Sequence, residues 1–184
     1  LSDLDECLWY TSSMDSPCTT EGRFARLVLN DNNLQGELPR ELTVLSNDLV
    51  SLDVDGTFTG EIPSNVGDLA KLTTLRLSGR VLSGQIPSSL YTLSDLSTLD
   101  LGQNLLSGEL SWAIVKMSSS LRSMSLMGNH LIGSFPKEIG QLTGLTHFNI
   151  DDNYFDNISH EEIGRLTNLE TLSMRNNVLK GSLP

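Results

Sequence analysis

The stretch from Leu72 to Pro87, "LTTLRLSGRVLSGQIP", decides the fold because it is one copy of a unit that recurs along the chain. Apolar residues follow its first leucine at three and five positions, and a glycine-bearing turn and a proline end it. The same pattern starts at seven places, 23 to 25 residues apart: Phe24, Leu49, Leu72, Leu96, Leu121, Leu145 and Leu169. This period predicts stacked repeats, because one such unit cannot bury its own apolar face.

Each unit is predicted to contain a short strand whose alternate side chains point inward. An inward polar position follows the strand, and asparagine predominates there because its amide can donate and accept hydrogen bonds at once. We call this series the asparagine ladder: Asn32, Thr57, Arg80, Asn104, Asn129, Asn153 and Asn177. The ladder is expected to link adjacent units, and Thr57 and Arg80 interrupt it in two consecutive units.

The repeated spacing LxxLxLxxNxLxGxIP, which runs from Phe24 to Pro184, resembles the plant-specific class of leucine-rich repeats. That class occurs in receptor-kinase ectodomains and in polygalacturonase-inhibiting proteins, and some algal and diatom proteins carry similar repeats. The resemblance implies an α/β repeat solenoid. It would be curved, with a parallel β-sheet on the concave face, a second, lateral sheet formed by the G-x-I-P segments, and loops or short helices on the convex side.

The repeats predict seven units, the last of them truncated: 24–48, 49–71, 72–95, 96–120, 121–144, 145–168 and 169–184. Terminal repeats need a polar cover, and the seventh unit stops directly after its turn. We therefore expect the natural chain to continue, with more repeats, a membrane span or a signalling domain. The alternative is that a second copy covers the exposed C-terminal edge.

Residues 1–23 are predicted to form an N-terminal cap. Plant-class repeat domains carry a cysteine pair and a tryptophan in such a cap, and this chain has Cys7, Cys18 and Trp9 there. A disulfide between the two cysteines would contribute about 3 kcal/mol of stability in the chain-entropy model. The alternative is a pair of free, buried thiols in a cytosolic protein.

The sequon Asn157-Ile158-Ser159 supports a location at the cell surface, outside the cell or in the secretory pathway. Asn157 replaces the turn glycine of its unit, where its side chain can point outward, so we predict that it is glycosylated. The chain begins at Leu1, and we expect that a targeting segment has been removed.

Composition argues against a nucleic-acid partner and against a membrane span within these residues. The 184-residue chain has 12 basic and 23 acidic residues and a net charge of −11, which argues against binding a nucleic-acid backbone. No run approaches the roughly 18 apolar residues of a membrane span, so none is predicted within these residues.

Charged residues at outward strand positions are candidates for binding. Asp53, Arg76 and Asp100 should lie side by side in successive strands, with Asp55 near the ladder break. An unpaired buried guanidinium would cost several kcal/mol, so Arg80 must reach solvent or an acid. These residues predict either a charge ladder, at about 0.2 to 1 kcal/mol per opposite pair, or a ligand-binding patch on the concave face. A second candidate patch on the concave face, or merely a solvated repeat face, comprises His147, Asp151, Asp152 and Tyr154.

Catalytic and metal sites are not predicted. The segment 151–162 has Phe155 and Asp156 where a calcium loop needs a ligand and a glycine. The three histidines occupy different template positions, and no G-x-S-x-G motif occurs. We therefore predict a protein without enzymatic activity or cofactor.

The predicted function is recognition of a protein or peptide by part of a receptor-like or membrane-anchored protein. The resemblance implies a peptide, a co-receptor or a cell-wall polysaccharide enzyme as partner. The alternatives are a secreted inhibitor of a cell-wall-degrading enzyme and a structural or adhesion protein.

Overall fold

The computed structural model describes residues 25–30, 34–79 and 81–180. The predicted N-terminal cap, with Cys7, Cys18 and Trp9, lies outside these residues, and so do Asn32 and Arg80. The disulfide and the role of Arg80 therefore stay predictions.

Short strands that follow the unit starts form the concave sheet. They are β1 Arg26–Val28, β3 Ser51–Asp55, β5 Thr74–Ser78, β7 Thr98–Asp100, β9 Ser123–Ser125, β11 His147–Asn149 and β13 Thr171–Ser173. In the described part of the chain these seven strands are parallel, in the order β1-β3-β5-β7-β9-β11-β13. Residues at the same template position pair with one another, as Leu52 does with Leu75 and Leu75 with Leu99. The predicted parallel sheet is confirmed.

The predicted lateral sheet is also present. Its strands are β2 Gln35–Glu37, β4 Thr57–Thr59, β6 Ser83–Gln85, β8 Leu105–Glu109, β10 His130–Ser134 and β12 Tyr154–Asn157. Strands β6, β8, β10 and β12 pair in parallel, β2 pairs with β4, and a single bridge between Glu61 and Ser83 joins the two groups. One continuous lateral surface therefore runs beside the concave sheet.

Short helices cover the convex side. Within the described residues, five are 3-10 helices, Arg40–Leu45, Val66–Asp68, Ser88–Thr92, Trp112–Met117 and Lys137–Gln141, and α1 is His160–Gly164. Pro39, Pro87 and Pro136 immediately precede three of them in an extended conformation. Proline suits this place because the first N–H groups of a helix have no partner within it. No helix in the described ranges is long and apolar enough to cross a membrane.

The core lies between the two sheets and the helices. The leucines that start units two to six are fully buried: Leu49, Leu72, Leu96, Leu121 and Leu145. Near the C-terminal end, Phe135 contacts Phe155 and Phe148, with ring centroids 4.3 and 5.6 Å apart. Because each fully buried large side chain contributes about 1.5 to 3 kcal/mol, stacking of the units supplies most of the stability.

The asparagine ladder ties each unit to the one before it. Asn104, Asn129 and Asn153 are each only 3% exposed. Asn129 Nδ2 donates to the carbonyls of Leu126 and Leu101, 3.0 Å from each. Its Oδ1 accepts from the Leu106 N–H at 3.0 Å. The amide thus satisfies backbone groups of two units at once, as the sequence predicted.

The assignment of Thr57 to the ladder is wrong. Thr57 is exposed in β4 and pairs with Gln35, as Leu105 pairs with Ser83 and Tyr154 with Ile132. Thr57 therefore corresponds to the residue that directly follows the ladder position in the other units.

Gly56 occupies the ladder position instead, because the second unit lacks one residue. A Cβ atom at Gly79 would overlap the Gly56 carbonyl oxygen, so the backbones of units two and three approach closely where the ladder is broken.

Candidate functional site

The outward side chains of the concave sheet form the concave face. The register of the seven strands aligns its middle column as Val28, Asp53, Arg76, Asp100, Ser125, Asn149 and Ser173. Their Cβ atoms point away from the leucine core, so packing does not dictate their identity. Such positions are free to be selected for recognition.

An ion pair occupies the N-terminal half of this column. Arg76 Nη1 donates to Asp53 Oδ2 at 3.0 Å, and Asn30 Nδ2 donates to Asp53 Oδ1 at 3.2 Å. The Arg76 side chain is 46% exposed and the Asp53 side chain 20%. A pair this exposed contributes only about 0.2 to 1 kcal/mol. Because the Arg76 side chain is this exposed, other N–H groups of its guanidinium face solvent and can donate to a ligand carboxylate.

The predicted charge ladder holds for this pair and fails at Asp100. Asp100 is the strand partner of Arg76, as predicted, but no ion pair joins these two described residues. The Asp100 carboxylate accepts instead from the N–H of Gly102 at 2.9 Å. Arg76 already donates to Asp53 on its other side, and an aspartate can instead accept from the N–H two residues further along the chain.

Asp55 lies at the end of β3, beside the ladder break. Its backbone N–H donates to Asn30 Oδ1 at 3.1 Å, and its strand partner is Ser78. The candidate patch of Asp53, Asp55, Arg76 and Asp100 is therefore brought together on three adjacent strands.

At the C-terminal end, the two candidate acids are engaged in links between units. Both Asp151 carboxylate oxygens lie 2.7 Å from the Ser173 hydroxyl, and Oδ1 also accepts from the Arg175 N–H. Asp152 Oδ1 accepts from Asn176 Nδ2 at 2.7 Å. These contacts give both aspartates a structural role.

The second candidate patch is split between two surfaces. His147 lies on the concave sheet, where its Nδ1 is 2.9 Å from Thr146 Oγ1. Tyr154 belongs to the lateral sheet, so its placement on the concave face is wrong. The turn that contains the ladder residue Asn153 carries the chain from one sheet to the other.

Sequence reasoning also missed an exposed apolar patch on the lateral sheet. Tyr154 is 52% exposed, and its ring centroid lies 5.9 Å from that of His130. Leu105 and Ile132 are exposed on the same sheet, and Val178, whose N–H donates to the Phe155 carbonyl of β12, is exposed beside it. The signal was available, because Leu105, His130, Tyr154 and Val178 all directly follow a ladder asparagine.

In ranges 25–30, 34–79 and 81–180, no three histidine, cysteine or acidic side chains are grouped to hold a metal ion. Burial raises the pKa of Tyr91 to about 12, and this phenol lies in the core under the convex helices. A buried phenol with so high a pKa is unsuited to proton transfer near neutral pH.

Comparison with known families decides the identity of the repeats. Residues 120–142 match the sequence model of the family described as Leucine Rich Repeat. The chain is a leucine-rich repeat domain. No curated protein matches it.

Solved plant receptor structures share the fold of this leucine-rich repeat domain. A TDR receptor is 34% identical over 79% of this chain and 25% of its own, with a TM-score of 0.75. The plant peptide hormone receptor RGFR1, solved with RGF2, is 31% identical over 86% of this chain and 25% of its own, with a TM-score of 0.79.

The third is the Arabidopsis receptor kinase HAESA, in complex with the peptide hormone IDA and the co-receptor SERK1. It is 33% identical over 86% of this chain and 26% of its own, with a TM-score of 0.78. This chain therefore spans about a quarter of the length of each of these receptor chains.

Proposed function

We propose that this leucine-rich repeat domain is an extracellular, non-enzymatic recognition module, and that it binds a peptide or protein ligand on its concave face as part of a receptor-like protein. The observation that carries the proposal is the half-exposed Arg76 guanidinium among acids and hydroxyls on the concave sheet. The similarity to receptors solved with peptide hormones supports the same reading.

The concave face suits an extended, polar ligand. Seven parallel strands hold its side chains on a rigid support, which lowers the entropy lost on binding. Near Arg76, the strand positions Ser51, Thr74 and Thr98 supply hydroxyl groups that can donate and accept. A guanidinium recognises a carboxylate through two parallel hydrogen bonds, so we expect one ligand carboxylate to bind at Arg76.

The remaining parts of the proposal follow from the sequence and from similarity. The sequon and the cysteine pair favour an extracellular location. The HAESA complex contains a co-receptor, and we propose that a second protein also binds here once the ligand is present. The cap over residues 1–23, with a Cys7–Cys18 disulfide, and the seven units that follow it complete the proposed organisation.

A peptide library with free C-terminal carboxylates tests this function. Peptides retained by the wild-type domain are expected to bind Arg76→Glu at least about 10-fold more weakly, equal to about 1.4 kcal/mol, because a carboxylate then replaces the proposed anion-binding group. Titration calorimetry measures both affinities.

The control is Lys116→Glu, which changes the net charge equally on the exposed convex surface. It is expected to bind the retained peptides as the wild type does. Equal weakening in both variants, or a library from which the wild type retains nothing, would contradict the proposal.

A further inference from the structure

The sixth unit departs from the others in its lateral strand. In five units, a glycine with positive φ stands four positions after the ladder: Gly36, Gly60, Gly84, Gly108 and Gly133. Asn157 stands at this position in the sixth unit and does not have a positive φ. The pairing of β10 with β12 shifts instead, from Gly133 with Phe155 to Ser134 with Asn157. Asp156 is thus the extra residue of a β-bulge.

The bulge directs Asn157 toward solvent. Tyr154 and Asn157 are exposed, whereas Phe155 between them is fully buried. Because the bulge inserts one residue, the two exposed side chains lie on the same outer surface of the lateral sheet. The Ser134 hydroxyl donates to Asp156 Oδ1 at 2.9 Å and holds the extra residue in place.

The other end of the sequon is also fixed. Ser159 caps helix α1, and its hydroxyl accepts from the Glu161 N–H at 3.2 Å. The side-chain amide of Asn157 makes no hydrogen bond to another described residue, whereas its backbone is paired with β10 and its carbonyl accepts from the Phe135 N–H at 2.9 Å. A substituent on this side-chain amide would therefore break no hydrogen bond of the described fold.

We propose that Asn157 carries an N-linked glycan whose first N-acetylglucosamine packs on the exposed ring of Tyr154. One face of a pyranose ring consists of C–H groups, and covering an exposed aromatic ring with it removes apolar surface from water. The Tyr154 ring lies beside His130, and its backbone pairs with Ile132, so it is already held in place. The inference rests on the proposed function in one respect, which is that the chain must pass through the secretory pathway to receive the glycan.

Peptide mapping tests the modification. The full chain, secreted from a eukaryotic cell, is treated with peptide N-glycosidase F in heavy-oxygen water, which marks a formerly glycosylated asparagine. We expect the mark at Asn157 in the wild type and in Ser159→Thr, which keeps the sequon. Ser159→Ala, which removes it, is expected to lose the glycan. An unmodified Asn157 in the secreted wild type would overturn the proposal.

Thermal unfolding tests the sugar–tyrosine contact. An endoglycosidase that leaves a single N-acetylglucosamine is compared with complete removal of the glycan. In the wild type, losing the last sugar is expected to lower Tm by about 2 to 4 °C. In Tyr154→Thr, which introduces the residue found at the equivalent Thr57, the same treatment is expected to change Tm little.

Equal decreases of Tm in the two proteins would overturn the contact. Peptide binding separates this inference from the proposed function, because Asn157 lies on the lateral sheet and Arg76 on the concave face. Asn157→Gln is expected to bind library peptides as the wild type does.

Discussion

Replacing Asn129 by alanine is expected to lower the free energy of unfolding by about 2 to 5 kcal/mol. The Leu106 N–H would lose its acceptor inside the core, and an unpaired buried donor alone costs about 1 to 3 kcal/mol. The carbonyls of Leu101 and Leu126 would each lose one donor but keep another, from Asn104 and Asn153 respectively. Urea unfolding, followed by circular dichroism, measures the change.

Asn168→Ala is the matched control. The Asn168 amide also donates to a backbone carbonyl of the preceding unit, that of Thr143 at 2.7 Å, but this asparagine is exposed. Water can replace the lost bond there, so we expect a loss below about 1 kcal/mol. If the two alanine variants lose equal stability, the ladder does not have the role described here.

Phe155→Ala is expected to destabilise the fold by about 3 to 5 kcal/mol. The side chain is fully buried, and its ring centroid lies 4.3 Å from that of Phe135. Removing it leaves a cavity between the lateral sheet and the core that the neighbouring backbone cannot fill. Denaturant unfolding of the variant gives the loss directly.

Trp112 supplies the comparison for a large aromatic side chain at the surface. It is 63% exposed on the convex side, so Trp112→Ala is expected to cost about 1 kcal/mol or less. If Trp112→Ala lowers the free energy of unfolding more than Phe155→Ala does, the packing of Phe155 against Phe135 does not stabilise the C-terminal units.

Periodicity made most of the fold predictable from the sequence. Apolar residues three and five positions after each unit start specify an inward face, and asparagine fits the ladder because few side chains both donate and accept. Thr57 was misassigned because the sequence shows that the second unit is one residue short but does not show where in the unit the missing residue falls. The pairing of Thr57 with Gln35 shows that the unit is shortened at the ladder position, which Gly56 occupies.

The candidate site was predictable in its placement but not in its contacts. The period aligned Asp53, Arg76 and Asp100 correctly. It could not predict that Asp100 would turn to the Gly102 N–H, because local and cross-strand hydrogen bonds of a surface aspartate differ little in energy. Likewise, the loss of a glycine at Asn157 was visible, whereas the bulge that compensates for it depends on pairing with Ser134.

Site-specific photo-crosslinking tests most directly whether recognition takes place on the concave face. A benzoylphenylalanine residue would replace Ser125 on the concave sheet, Ser107 on the lateral sheet or Lys116 on the convex surface, and a peptide retained by the wild-type domain would be irradiated with each variant. We predict a covalent adduct with the variant at position 125 and none with the other two. Adducts at position 107 or 116 without one at 125 would contradict the account.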